Sequence, residues 1–216
     1  MEKSIYFVIP ARKGSKGFPL KNRKLLGYTI KEIPRKIHQK TIISTDDKEI
    51  IKKVSNTQIK IIKRDPKLCG DKVSVRDVMK DVVKKCGLKN SDVIVMLYLT
   101  YLGRKFQEIK KILDYFLDNK IKTLSCCVEA KSHPYLCLYK RPNGKGKQIV
   151  KHDLYRRQDH PEVIEMRHYV CIFEVKQLKK LNKNMYNENT FFYKINNDID
   201  IDYEIDFEKF KSGKYS

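Results

Sequence analysis

The sequence predicts an α/β protein, a three-layer sandwich in which helices cover both faces of a mostly parallel central sheet. Three observations predict it. Short apolar runs rich in β-branched residues alternate along the chain with segments of helical periodicity. The first such run, Ile5 to Ile9, is apolar throughout, as suits a parallel strand buried on both faces. The 216 residues fit one domain spanning 1–216 better than two, and no linker, repeat or low-complexity stretch divides them.

The elements follow in order. Ile5-Tyr6-Phe7-Val8-Ile9 is the first strand, closed by Pro10 and a glycine-containing loop. Lys24 to Lys36 reads as a helix, with Leu26, Ile30 and Ile33 at helical spacing and Pro34 near its end. Thr41-Ile42-Ile43-Ser44 is a strand closed by Thr45-Asp46-Asp47; Lys48 to Val54 is a helix and Gln58 to Ile62 a third strand. Val75 to Cys86 is a helix with Gly87 as its C-terminal stop. Asp92 to Leu99 is a long apolar run and reads as the central strand. Phe106 to Asn119 places Ile109, Ile112, Leu113 and Phe116 on one helix face, and Thr123 to Val128 is another strand. Pro142 to Lys147 is a turn between two extended pieces, Tyr169 to Phe173 a strand and Val175 to Leu181 a short helix. Phe191-Phe192-Tyr193, an acidic cluster and a last helix around Phe207 to Phe210 end the chain.

Composition narrows the class. A hydrophobic share of 41% argues against disorder, and no stretch approaches the roughly 20 apolar residues of a membrane helix. Met1 to Ser4 lead straight into a strand without the features of a signal peptide, so the expected location is the cytoplasm. The six cysteines include no C-x-x-C pair and read as reduced, mostly buried thiols. The five histidines are scattered, and none stands at metal-ligand spacing from another. The net charge of +21 raises a nucleic-acid-binding module as an alternative. The lysines are spread along the whole chain without a basic tail, which argues against that footprint and leaves a field favouring anionic substrates.

In a mostly parallel sheet the ligand sits beyond the carboxyl ends of the strands, so the loops after strands carry the chemistry. The first is Pro10-Ala11-Arg12-Lys13-Gly14-Ser15-Lys16-Gly17, continuing to Lys21-Asn22. Gly14 and Gly17 permit close backbone approach and unusual torsions, and Arg12, Lys16 and Lys21 add positive charge. Neither a Walker A nor a G-x-G-x-x-G spacing is present. Near the C-terminus, Asp198-Ile199-Asp200-Ile201-Asp202 would line three carboxylates along one face of an extended segment. Such crowding repels unless a cation neutralises it, and hard oxygen donors suit Mg²⁺. The competing reading is an acidic helix start with Asp202 as the cap.

These loops carry a resemblance. Ile9 to Asn22, Ile43 to Asp47, the Arg64, Asp71 and Ser74 stretch, Leu97 to Arg104, Arg156 to Pro161 and Asp198 to Phe207 match, in order, motifs of the acylneuraminate cytidylyltransferases. The chain therefore resembles the CMP-sialic acid synthetases over essentially its whole length. The resemblance implies a Rossmann-like nucleotidyltransferase fold and transfer of CMP from CTP to a nine-carbon keto-sugar acid. It places Ala11, Arg12, Gly14, Ser15, Lys21, Asn22, Arg64 and Ser74 at the nucleotide. Arg157 and Gln158 would reach the sugar acid or the phosphates. Tyr98, Thr100 and Arg104 fall in the sugar-contacting segment, where Tyr98 replaces the family's Gln. Asp200 and Asp202 would hold Mg²⁺, with Arg12, Lys21 and Asp202 as the catalytic groups and a homodimer as the assembly. An eight-carbon keto-sugar acid is the alternative acceptor.

Overall fold

A computed structural model describes residues 3–196 and 199–214. A seven-stranded sheet is formed by β1 (Ile5–Pro10), β2 (Thr41–Thr45), β3 (Lys60–Lys63), β4 (Val93–Met96), β5 (Thr123–Glu129), β8 (Ile164–Glu174) and β9 (Phe191–Lys194). Its order is β3-β2-β1-β4-β8-β5-β9. Only the two pairings of β8, with β4 and with β5, are antiparallel; β1–β2, β1–β4, β2–β3 and β5–β9 are parallel. The expected fold class therefore holds. β6 (Leu138–Lys140) and β7 (Gly146–Gln148) form a separate antiparallel hairpin, turning where the sequence placed a turn.

Alternation along β1 sorts the core into two layers. Phe7 and Ile9 face one side, with Leu25 and Leu26 of α1 (Lys21–Glu32), Ile50 and Val54 of α2 (Lys48–Val54), and Ile109, Ile112 and Phe116 of α4 (Phe106–Asp118). Val8 faces the other, with Val78, Met79 and Val82 of α3 (Val75–Cys86) and with Leu178 and Leu181. Phe207 of α5 (Glu204–Lys211) closes the first layer against Phe18, ring centroids 5.7 Å apart. Burying each such side chain contributes about 1.5–3 kcal/mol.

Several boundaries differ from expectation. α1 begins at Lys21 rather than Lys24, entered through Leu20 in the left-handed region (φ 57). It ends at Glu32, before Pro34, rather than running on to Lys36, and Arg35–Lys40 follows as a 3-10 helix. β4 ends at Met96; Leu97 and Leu99 are buried but belong to the following loop. β8 starts five residues before Tyr169, and Val175–Gln177 is only a 3-10 turn. All six cysteines are free. Among the described residues no helix is long and apolar enough to cross a membrane.

Candidate active site

A cleft of about 250 Å³ lies at the carboxyl ends of β1, β3 and β4. Because α1 and α4 leave toward one face and α3 toward the other, this is where an open parallel sheet leaves a crevice. Of the residues expected at the nucleotide or the sugar, Arg12, Gly14, Ser15, Lys21, Asn22, Arg64, Tyr98 and Thr100 all line it. Val73, Val75, Val78 and Leu99 complete it as an apolar wall. A cleft with cations on one side and an apolar shelf on the other suits a ligand with an anionic group and a flat, less polar one.

The glycine loop is clamped from three directions. The amide of the fully buried Ala11 donates to Ser44 O at 2.9 Å, Asn22 Nδ2 donates to Arg12 O at 2.8 Å, and Asp46 Oδ1 accepts from the Lys13 amide at 2.7 Å. Neither Gly14 nor Gly17 adopts a positive φ, contrary to the unusual torsions expected of them; Leu20 carries the left-handed turn instead. Gly17 is needed for close approach. A Cβ there would lie 3.1 Å from Asp202 O and 3.3 Å from the Tyr203 ring. A Cβ at Gly14 would meet open space.

The cations of the loop are held by carboxylates from distant segments. Asp71 pairs with both Arg12 (2.6 Å) and Lys16 (2.8 Å), and these contacts, Lys16's first, hold its carboxyl below the usual carboxylate range. Lys21 Nζ donates to Ile201 O (3.1 Å) and to Asp202 Oδ1 (3.3 Å). Arg64 is buried and donates to Ser44 O at 2.9 Å; burial lowers its pKa, opposed by Asp46. No side chain caps the N-terminus of α1, so the positive end of that helix backs the loop.

The C-terminal strap returns to the same place. Ile201 N donates to Thr100 O and Leu102 N to Ile199 O, with Asp200 bridging Tyr101, so Asp200 sits beside the cleft residue Thr100. Burial pushes the Asp200 carboxyl up, and the neighbouring charge of Asp202 adds to this against hydrogen bonds from Thr100 and Tyr101. Asp198, expected as the third carboxylate of the row, lies outside the described residues. Asp202 is not the cap of α5: Tyr203 holds that position, and Asp206 Oδ2 accepts from the amides of Asp202 and Tyr203.

A carboxylate raised by burial and by the charge of a carboxylate two residues on suits a hard divalent cation. Among the described residues no three His, Cys, Asp or Glu side chains group as a metal cage. A cation held here would therefore take the rest of its shell from water and substrate oxygens.

The remaining expected residues are placed differently. Ser74 caps α3, accepting from the Asp77 amide and donating to Asp77 Oδ2, between the cleft residues Val73 and Val75. Arg104 is buried, donates to Tyr98 O at 3.0 Å and to Tyr169 O, and stacks over the Tyr169 ring; burial lowers its pKa to about 10. It is a strut behind Tyr98, not a side chain open to the cleft. Arg157 and Gln158 lie on an exposed 3-10 turn, Arg157–Asp159, and neither lines the cleft. Near that turn the scattered histidines meet: His133, His152 and His160 surround Tyr135, with the His133 and His160 rings 4.7 Å apart. Sequence spacing missed this cluster and the apolar wall of the cleft. The wall was foreshadowed only by the periodicity of α3.

A model of the family described as "Cytidylyltransferase" matches residues 6–214. The chain belongs to the cytidylyltransferase family. This is a family of nucleotidyltransferases. The chain is 26% identical over 212 residues to an N-acylneuraminate cytidylyltransferase of Streptococcus agalactiae serotype V, covering 93% of this chain and 51% of that one. It thus spans about half the length of that relative. It is 28% identical over 220 residues to post-translational flagellin modification protein B of Campylobacter coli, covering 94% and 92%. Its fold is that of a CMP:2-keto-3-deoxy-manno-octonic acid synthetase solved in complex with CTP, at a TM-score of 0.67 and 13% identity, covering 97% of this chain and 98% of that one.

Proposed function

We propose that the protein transfers CMP from CTP to the anomeric hydroxyl of a nine-carbon keto-sugar acid of the sialic, legionaminic or pseudaminic type, releasing pyrophosphate. One observation carries the reading: Arg12, Ser15, Lys21 and Asn22 of the first loop and Arg64 after β3 converge on one cleft in a chain of this family. The curated relative named for N-acylneuraminate favours nine carbons. The likeness to a synthetase named for an eight-carbon acid keeps that acceptor as the second reading.

Two anions must be brought together, and the hydroxyl must approach the α-phosphorus opposite the leaving pyrophosphate. Arg12 and Lys21 bind the phosphates and stabilise the charge that gathers on the leaving group. Ser15 and the open backbone at Gly14 orient the phosphate chain, and Asn22 fixes the loop through the Arg12 carbonyl. Val73, Val75 and Val78 pack the nucleoside and exclude water. Mg²⁺, held by Asp200 and Asp202, would neutralise phosphate charge. Tyr98 and Thr100 form the wall nearest the strap and contact the sugar acid. The exposed apolar side chains Leu136, Leu138, Tyr139, Ile149 and Tyr155 on and around the β6–β7 hairpin support a homodimer, a second copy covering them. Incubation with CTP and a panel of eight- and nine-carbon keto-sugar acids, read by mass spectrometry for the CMP-sugar, tests the assignment. A conjugate formed only with an eight-carbon acid would transfer it to the second reading.

A further inference from the structure

At the cleft mouth the contacts of Asp71 run against the site's chemistry. A polyphosphate site needs its cations available, yet one Asp71 oxygen lies 2.6 Å from Arg12 Nη1 and the other 2.8 Å from Lys16 Nζ. Arg12 lines the cleft, and so does Gly70, the residue before Asp71. Arg12 also donates to Cys69 O, so two charged pairs and one side-chain-to-main-chain hydrogen bond join the glycine loop to the segment before α3 at this point. The carboxylate presents two oxygens to two cations with the bite of a phosphate group.

We propose that Asp71 is a built-in stand-in for a phosphate group of the nucleotide: it pre-orders Arg12 and Lys16 when the cleft is empty and is displaced when the triphosphate binds. This rests on the reading of the cleft as the CTP site. Side chains of this kind set affinity in two opposing ways. They hold the cations in place, lowering the ordering entropy of binding, and they compete with the ligand for the same donors. Both pairs are solvent-exposed, with side-chain exposures of 30% for Arg12, 83% for Lys16 and 40% for Asp71. Exposed pairs are weak, so displacement is easy and competition is the larger effect. Phosphate groups carry more charge than the carboxylate and win the exchange. The consequence is selectivity: a ligand with several linked phosphates displaces Asp71, whereas a single carboxylate or monophosphate gains little over it.

The test is calorimetric titration of the full chain with CTP, with inorganic pyrophosphate and with CMP, comparing wild type, Asp71→Asn, Asp65→Asn and Arg12→Ala. Asp65 lies in the same segment, where it pairs with the Lys67 ammonium and caps the Pro66–Leu68 turn through the Lys67 amide, a cap that Asn preserves, so it controls for the loss of one negative charge. Asp71→Asn is expected to tighten pyrophosphate and CTP by about three- to tenfold and to raise CMP binding toward that of CTP, with Asp65→Asn changing each less than twofold. Unchanged or weaker binding in Asp71→Asn, with Arg12→Ala still weakening CTP, would overturn the stand-in role and leave the site reading intact. Equal tightening in both Asn variants would also overturn it, as a general field effect. Unchanged CTP binding in Arg12→Ala would overturn the site reading and the proposal with it.

Discussion

Lys21 Nζ lies 3.1 Å from the carbonyl oxygen of Ile201 and 3.3 Å from Asp202 Oδ1, so the first residue of α1 is bonded to the strap that precedes α5. One lysine thus joins the cation-rich loop to the two carboxylates proposed for Mg²⁺. Lys21→Ala is expected to raise the KM for CTP at least tenfold and to lower kcat, because it removes a phosphate contact and releases the strap. Steady-state kinetics with CTP varied check this; an unchanged CTP dependence would remove Lys21 from the site.

Gly17 makes the same junction from the other side. A methyl group there would press on Asp202 O at 3.1 Å, and that neighbour is backbone, which yields poorly. Gly17→Ala is expected to destabilise the fold by about 1 kcal/mol and to cut turnover several-fold by shifting Asp202. Thermal unfolding alongside turnover reads both. Full activity would mean that the strap tolerates displacement.

Tyr98 lines the cleft while its ring packs on His168, centroids 5.0 Å apart, and burial pushes its phenol well above the usual tyrosine range. Tyr98→Gln is expected to move acceptor preference among keto-sugar acids and to destabilise by about 1–2 kcal/mol. Ratios of kcat/KM across acceptors measure the first effect. Constant ratios would place Tyr98 outside the sugar pocket.

Glu174 supplies a pH dependence away from the site. Burial alone would raise its pKa, but Lys3, Lys176 and Lys122 around it bring it down from 4.5 to about 2. With the folded value below the unfolded one, its contribution is complete above about pH 4.5 and disappears as pH falls through about 2. Glu174→Gln is expected to cost about 2 kcal/mol at pH 7, reduced from roughly 3 because the lysines are half exposed. Denaturant unfolding from pH 7 to pH 3 should show the gap between variant and wild type narrowing. A gap independent of pH would contradict the ionic origin.

Much of the fold was legible where local chemistry marks an end. Gly87, at φ 63, stops α3 after Cys86 where the sequence placed its end, whereas α1 ends at Glu32, before Pro34, and not at Lys36. The start of α1 was misplaced because Lys21, Asn22 and Arg23 carry no cap signal and a leucine takes the left-handed turn before them. The early half of β8 was missed because Ile164 to His168 mix apolar and charged residues and none of them is buried, and only Tyr169 onward shows the buried apolar run. In the site, the cations could be read from the loop after β1. Their partners could not, since Arg12 and Asp71 are 59 residues apart and Lys21 and Asp202 are 181 apart. The placement of Arg104 was hidden for the same reason: its burial against Tyr169 is a tertiary fact.

The most direct test is pyrophosphate release from CTP with Mg²⁺ and a nine-carbon keto-sugar acid, comparing wild type with Asp202→Asn. Sustained release by wild type, at least a hundredfold slower in a variant that folds normally, is the expected result. Equal release in both would contradict the role of the strap carboxylates. No release with any keto-sugar acid, together with no CTP binding and salt-dependent binding to random DNA, would contradict the proposed function itself.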